Sequence, residues 1–567
     1  MSRSMLAALS SIALWVLPAV AADVTSERLV NAANEPQNWL MVHHDYGNSR
    51  HSALAEINRD TVQNLRPKFM FSIGGLATGG TLRGKEESTP LVEDGYMYVT
   101  DTWSRVMKFD VRSGTEAVPI WRYDPKIRVS RTTRGLAMYG NKIVLSTYDA
   151  RLIALNRDSG ELVWEVQAAA PTDPATGTPS RTQAFSAPPV AIKTAAGREL
   201  VIQGESTGGS LGTRSWIGAF DIGTGALVWR TFTIPAPGDP GSETWKDTHN
   251  AWRIGGASVW QAASYDPATN LLYFGTGDAF PTFDPEYRPG DNLYTASTLA
   301  VDADTGKIAW FFQETPNEHW DFDTPSPKML FDTTINGEPR KVVANFSRNG
   351  FFYTLDRTTG AFIGGLKYVN ELTWTKGLDP KTGKPVEYDP ERDVQAYLPD
   401  ARPLRGDPAK RACPTWHGGV SHQPAAYNPV KRIAYGVGIE GCFSTSVGPQ
   451  AYLSPAGGLD RKKTPQRAFN SDLYYGGVTA IDVPGQKVLA KTTTEIEIRS
   501  GALATAGGLV FTALQDGAIV AYNDETLEEL WRFNVGTPLK GSPVTYAIGS
   551  KQYVAVQGSG RHVHPVK

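Results

Sequence analysis

The chain has 567 residues, 41% of them apolar and 20% charged, with 56 Lys and Arg set against 58 Asp and Glu. It is long enough to bury an extensive core and too apolar and aromatic for disorder, and without a basic excess to neutralise phosphates it is no general nucleic-acid binder. Two cysteines are too few for a zinc ribbon, an iron–sulfur protein or a disulfide scaffold, no Cys-x-x-Cys-His haem attachment motif occurs, and 56 glycines argue against long helices.

In chain order, Arg3 precedes an apolar run from Met5 to Val20 that closes on Ala19-Val20-Ala21-Ala22. A basic tip, an apolar stretch and a small-x-small cleavage site make residues 1–22 a signal peptide, cut after Ala21 or Ala22. The expectation is an exported chain, periplasmic if the source is Gram-negative, with one domain over residues 23–567. No later stretch is continuously apolar for the ~20 residues of a membrane span. Export puts Cys413 and Cys442 in an oxidising compartment, so they are expected to pair.

From residue 107 onward one phrase recurs: alternating apolar residues, an Asp or Asn, a Gly turn, then apolar residues closing on Trp. It runs over 152–164, 217–229 and 299–310, with degenerate copies over 107–121, 353–364, 478–489 and 520–531. Each reads as strand, tight turn, strand. The Asp can bond the turn's backbone and the Trp can pack between units. Seven such hairpins with strand-like runs before them describe a β-propeller. If the terminal strands complete one further unit, the fold is an all-β, eight-bladed propeller. Its blades would then be longer than a bare four-stranded unit, so the stretches 170–189, 235–256, 280–296 and 370–415 are expected to stand above them as loops.

The chemistry-bearing residues sit in those loops. Gly275-Thr276-Gly277-Asp278 ends a strand, and Trp320-Asp321-Phe322-Asp323 follows about forty residues later. Read as extended chain, Asp321 and Asp323 point the same way. With Asp278 they offer three carboxylates to one hard cation, against the plainer alternative of solvated turn aspartates. Gly208-Gly209-Ser210-Leu211-Gly212 lies among strands with no following helix, so it is no dinucleotide fingerprint. The histidines form no convincing metal set; His319 either lines the site beside Asp321 or packs.

As a set, these residues resemble the pyrroloquinoline quinone (PQQ)-dependent quinoprotein alcohol dehydrogenases. The resemblance rests on the tryptophan-docking repeats, the Asp278 motif followed by Arg288-Pro289-Gly290-Asp291-Asn292, the Asp321 motif, Cys413-Pro414-Thr415-Trp416-His417-Gly418-Gly419, and Gly501-Ala502-Leu503. It implies an eight-bladed propeller that oxidises an alcohol with PQQ and Ca²⁺ or a lanthanide ion. Residue by residue, it implies Asp321 as catalytic base and Arg348 as the arginine beside the reactive carbonyl. Glu87, Arg134 and Trp260 match cofactor-contacting positions, joined by Gly208 and Gly209. Asp278, Asp321 and Asp323 match metal positions, and Ser210 stands where the family has a ligating Glu. Asp278 replaces the family's usual Asn, restoring the charge that Ser210 removes, with Glu205 a weak substitute ligand. Small residues such as Ser421 and Gly209 near the site point to a bulky primary or secondary alcohol, relatives acting on polymeric alcohols and trichothecenes. Electrons would leave to a separate soluble acceptor, a cytochrome c by family expectation, and the chain would act alone or as a homodimer. The competing readings are a non-catalytic envelope-assembly propeller and a carboxylate hydrolase.

Overall fold

The computed structural model describes residues 22–73, 85–128, 130–169, 183–207, 214–448, 466–470 and 472–558. Residues 1–21, and with them nearly all of the expected leader, lie outside the described residues, as do Gly208, Gly209 and Ser210.

The expected repeats form antiparallel sheets whose strands follow one another in chain order. Six have four strands, spanning residues 91–123, 137–167, 190–232, 264–313, 329–367 and 426–494, and a seventh over 503–534 has five. Within each, the third strand is buried on both faces, as Leu152, Ile153, Ala154 and Leu155 show. The fourth alternates, burying Trp164 while Leu162 and Val163 face solvent. A sheet sandwiched between two others needs that pattern.

Two local interactions repeat from blade to blade. At the turn, Asp221 Oδ1 accepts the backbone N–H of Gly223 at 3.1 Å and of Thr224 at 2.9 Å, and Asp356 does the same for Thr358 and Thr359. After the turn, each tryptophan docks onto the next blade. Trp121, Trp164, Trp229 and Trp310 donate Nε1–H to the carbonyls of Arg157, Ile222, Ala303 and Arg357 at 3.2, 3.0, 3.0 and 3.3 Å. Their rings lie flat on Gly160, Gly225, Gly306 and Gly360, so close that a Cβ on Gly306 would stand 2.5 Å from Trp229. Glycine is required there twice over, because Gly306 also has φ +74°.

Among the described residues there are seven blades, not eight. The N-terminal strand His51–Ser52 pairs in parallel with Leu503–Thr505 of the seventh sheet, so it closes that blade instead of building another. Buried Arg50 anchors it, donating to the carbonyls of Ala502, Val42 and Pro543. Among the described residues, the C-terminal strands Val544–Ile548 and Lys551–Ala555 pair only with each other. Phe69 and Phe71 pack against the core without joining a ladder. A cavity of about 720 Å³ lined by Phe69, Phe71, Trp531 and Tyr553 occupies that sector.

Residues 233–263, 276–296 and 368–409 connect strands where three of the four long loops are expected, the last ending at the short strand Lys410–Ala412; most of the fourth, 170–189, lies outside the described residues. Cys413 and Cys442 are disulfide-bonded, closing a 29-residue loop beside them. No helix among the described residues is long and apolar enough to cross a membrane.

Gly306→Ala is expected to lower unfolding stability by about 2–4 kcal/mol, because it adds a clash to the strain of a left-handed residue. Gly197→Ala, at φ +81° but facing open space, should cost only about 1 kcal/mol. Urea denaturation of both variants checks the difference.

Candidate active site

The residues singled out from the sequence come from different blades and converge. Glu87 precedes the first sheet and Arg134 the second; Trp260 precedes the fourth, and Arg348 lies in the turn between Glu338–Phe346 and Phe351–Asp356. Arg134 Nη2 meets Glu87 Oε2 at 2.8 Å, and its Nη1 donates to the Trp260 carbonyl at 3.1 Å. Its guanidinium lies over the Trp260 ring at 4.7 Å, and that of Arg348 at 5.2 Å. Trp260 Nε1–H donates to Asp323 Oδ2 at 3.0 Å. Arg348 Nη1 reaches Asp321 Oδ1 at 3.0 Å and Asp323 Oδ2 at 3.3 Å, while its Nε–H donates to Ser421 Oγ at 3.0 Å. The chain of contacts from Glu87 to Asp321 is unbroken.

Asp278, Asp321 and Asp323 offer carboxylate oxygens that all lie within 4.8 Å of one another. Asp323 also accepts the backbone N–H of Asp278. Burial and mutual repulsion push the Asp278 and Asp321 carboxyls well above the usual carboxylate range. A cation between them would reverse both effects, and an all-oxygen donor set suits a hard one. The Asp321 side chain is 24% exposed against 7% for Asp323, so Asp321 is the carboxylate that a second ligand can reach.

The extended reading of residues 321–323 needs correction. Asp321 has φ +67°, the left-handed region, which aspartate tolerates better than most residues. The turn is held by Glu318, whose Oε1 accepts the N–H of Trp320 and, at 2.8 Å, of Phe322, the two residues flanking Asp321. Glu318 is fully buried, and burial raises its carboxyl to about 7. Sequence reasoning passed over it, although a Glu three residues before the Asp was a usable signal. His319 packs: it is buried against Trp320 and Tyr397 with Nδ1 on the Asn317 carbonyl. Glu205 is used up within its own blade, accepting from Thr207 N at 2.8 Å and Ser215 Oγ at 2.8 Å.

The Trp260 end has the opposite charge. Burial alone would raise the Glu87 carboxyl, but His422, Arg134, Lys85 and Lys540 bring it down to about 2. His422 sits between Glu87 and the Arg499 carbonyl, and burial takes its imidazole down to about 3. Arg134 Nε is buried with no hydrogen-bond partner among the described residues. An aromatic face, two guanidinium groups and an unused buried N–H fit a flat, polyanionic ring.

A family model described as "PQQ: Glucose/ethanol/alcohol dehydrogenase, beta-propeller domain" matches residues 39–370 and 475–554. The quinoprotein alcohol dehydrogenase PedH of Pseudomonas putida is 34% identical over 570 residues, covering 96% of this chain and 90% of its own. Among solved structures, a europium-containing methanol dehydrogenase superposes with a TM-score of 0.80 at 30% identity, covering 94% of this chain and 91% of that one. The quinohemoprotein alcohol dehydrogenase from Comamonas testosteroni gives 0.82 at 30% identity, over 94% of this chain and 78% of the other.

Glu318→Leu leaves two buried N–H groups beside Asp321 without acceptors and should destabilise the protein by about 2–4 kcal/mol in urea. Glu318→Gln keeps an acceptor oxygen and should cost no more than about 1 kcal/mol.

Proposed function

The chain belongs to the PQQ-dependent alcohol dehydrogenases, oxidoreductases acting on CH–OH, and from that membership we propose how its own residues carry the reaction. Trp260 offers the stacking face for PQQ, with Glu87, Arg134 and Arg348 around it. Asp278, Asp321 and Asp323 hold the cation, Ca²⁺ or a lanthanide. Similarity to a europium-containing methanol dehydrogenase supports the lanthanide, as do three carboxylates on one site. When bound, PQQ supplies a two-electron acceptor and the cation supplies Lewis acidity.

Asp321 does the proton work. It is the most open of the three carboxylates, and its oxygen accepts the hydroxyl proton of an alcohol at the mouth, leaving the carbinol carbon ready to give up hydride. Arg348, at 3.0 Å, keeps that carboxylate oriented. Its charge, sustained against burial by Asp323, Asp321 and Asp278, favours negative charge developing nearby. Asp323 is less open and already accepts from the Trp260 indole and the Asp278 N–H. The single observation that carries this reading is the continuous contact from Glu87 through Arg134, Trp260 and Asp323 to Arg348 and Asp321. An assembly scaffold has no use for it.

The substrate is a bulky primary or secondary alcohol, supported by the small Ser421 on Arg348. The product is an aldehyde or ketone, and electrons leave to a separate soluble acceptor such as cytochrome c, the acceptor that the family resemblance implies. The leader-like pattern over residues 1–22 supports a periplasmic enzyme.

Apo-protein reconstituted with PQQ and either Ca²⁺ or La³⁺ should reduce a dye when given an alcohol, faster with a polycyclic secondary alcohol than with methanol. Asp321→Asn should lower kcat at least about 100-fold while PQQ still quenches tryptophan fluorescence. Asp278→Ala should lose the bound cation by elemental analysis. Full turnover and metal content in these variants would overturn the assignment.

A further inference from the structure

Two cations at the rim of the Trp260 end have no role in the site so far. Three chain segments meet there. A Cβ on Gly541 would lie 2.9 Å from the Ser88 carbonyl. Ser500 Oγ donates to the Gly541 carbonyl at 2.8 Å, and Gly501 N–H donates to Ser542 Oγ at 3.1 Å. His422 Nε2 bridges the first two, 3.4 Å from Glu87 Oε1 and 3.1 Å from the Arg499 carbonyl. The chain segments that carry Lys85, Arg499 and Lys540 therefore meet beside Glu87, close enough for the charges of both lysines to act on its carboxylate.

The charges there do not balance. Glu87 is taken by Arg134 at 2.8 Å, and Glu497 by Arg499 at 2.8 Å. Neither Lys85 nor Lys540 has an ion-pair or side-chain hydrogen-bond partner among the described residues. Lys85 is exposed and Lys540 half-buried. Partial desolvation by the surrounding rim lowers both ammonium groups, that of Lys540 further through the charge of Lys85, and that of Lys85 through Arg499 and Arg134. Two like charges side by side are relieved by an anion between them. The carboxylates of Glu87 and Glu497 in the same rim repel a compact dianion and leave room for a single negative charge.

Resting on the reading of the Trp260 site given above, we propose that Lys85 and Lys540 form a carboxylate-binding pair at the rim of that site. The carboxylate belongs either to the tricarboxylate cofactor or to an alcohol that itself carries a carboxyl group. Ammonium groups suit this role as point charges that need no fixed bidentate geometry.

The test uses the full chain as wild type, as the double variant Lys85→Gln/Lys540→Gln, and as Lys85→Arg/Lys540→Arg. PQQ is titrated into the apo-proteins by tryptophan quenching, and kcat/KM is measured for 1-hexanol and 6-hydroxyhexanoate. A PQQ Kd raised at least about tenfold in the Gln variant, a loss of about 1.4 kcal/mol, and recovered by Arg, assigns the pair to the cofactor. An unchanged Kd with the hydroxyhexanoate-to-hexanol ratio reduced at least about tenfold assigns it to the substrate. A PQQ affinity and a substrate ratio both within about twofold of wild type overturn the proposal. Wild type that itself shows no quenching overturns the cofactor reading first, which keeps the two failures distinct.

Discussion

Three aspartates around one guanidinium set the terms for the rest of the site. Asp278, Asp321 and Asp323 sit with their oxygens within 4.8 Å of one another, and Arg348 is the cation that touches two of them. Taking carboxylates out of water is costly unless the lone pairs are satisfied. The chain satisfies those of Asp321 and Asp323, with the indole N–H of Trp260, the backbone N–H of Asp278 and Nη1 of Arg348. Arg288 contributes from behind, fully buried and bonded to the carbonyls of Pro281 and Thr282 and to Asn292, with a charge that Glu318 and Asp278 support. Such a cluster persists only on a scaffold that cannot relax away from it.

The ring of docked tryptophans is that scaffold. Glu87, Arg134, Trp260 and Arg348 belong to different blades, so their meeting depends on the rotation from each sheet to the next. The indole fixes that rotation with one hydrogen bond and one flat contact, and glycine is the only residue thin enough beneath it. The same interaction that stabilises the fold thus also sets the distances in the site. The loop carrying Asp321 adds a local device, with Glu318 holding the two flanking N–H groups so that a left-handed Asp321 points into the mouth.

The repeat and most of the site were legible because their signals are local. A Gly turn between alternating runs, an Asp before it and a Trp after it each have one physical use, and the blades form where those signals stand. The count of blades was not legible, because whether His51–Ser52 joins the last full sheet or a further one depends on long-range pairing that alternation does not encode. The geometry of residues 321–323 was missed for a similar reason: an extended segment and a turn braced by a buried Glu look alike in a short polar stretch. Lys85 and Lys540 were invisible as a pair, since 455 positions of numbering separate residues 85 and 540 and only closure of the ring brings them together.

The finished site has two poles. At one, carboxylates outnumber the cation that touches them; at the other, Lys85, Arg134, Arg499 and Lys540 outnumber Glu87 and Glu497. Trp260 lies between, its N–H edge on Asp323 and its face under Arg134, so one indole is oriented by both poles. A ligand that is flat, anionic along one edge and able to share a cation at the other satisfies both at once, whereas a ligand with only one of those properties leaves the opposite pole uncompensated. On the proposed placement of the cofactor, selectivity for it would follow from charge separation across a single tryptophan, and it would survive changes in individual rim residues so long as the sign at each end is kept.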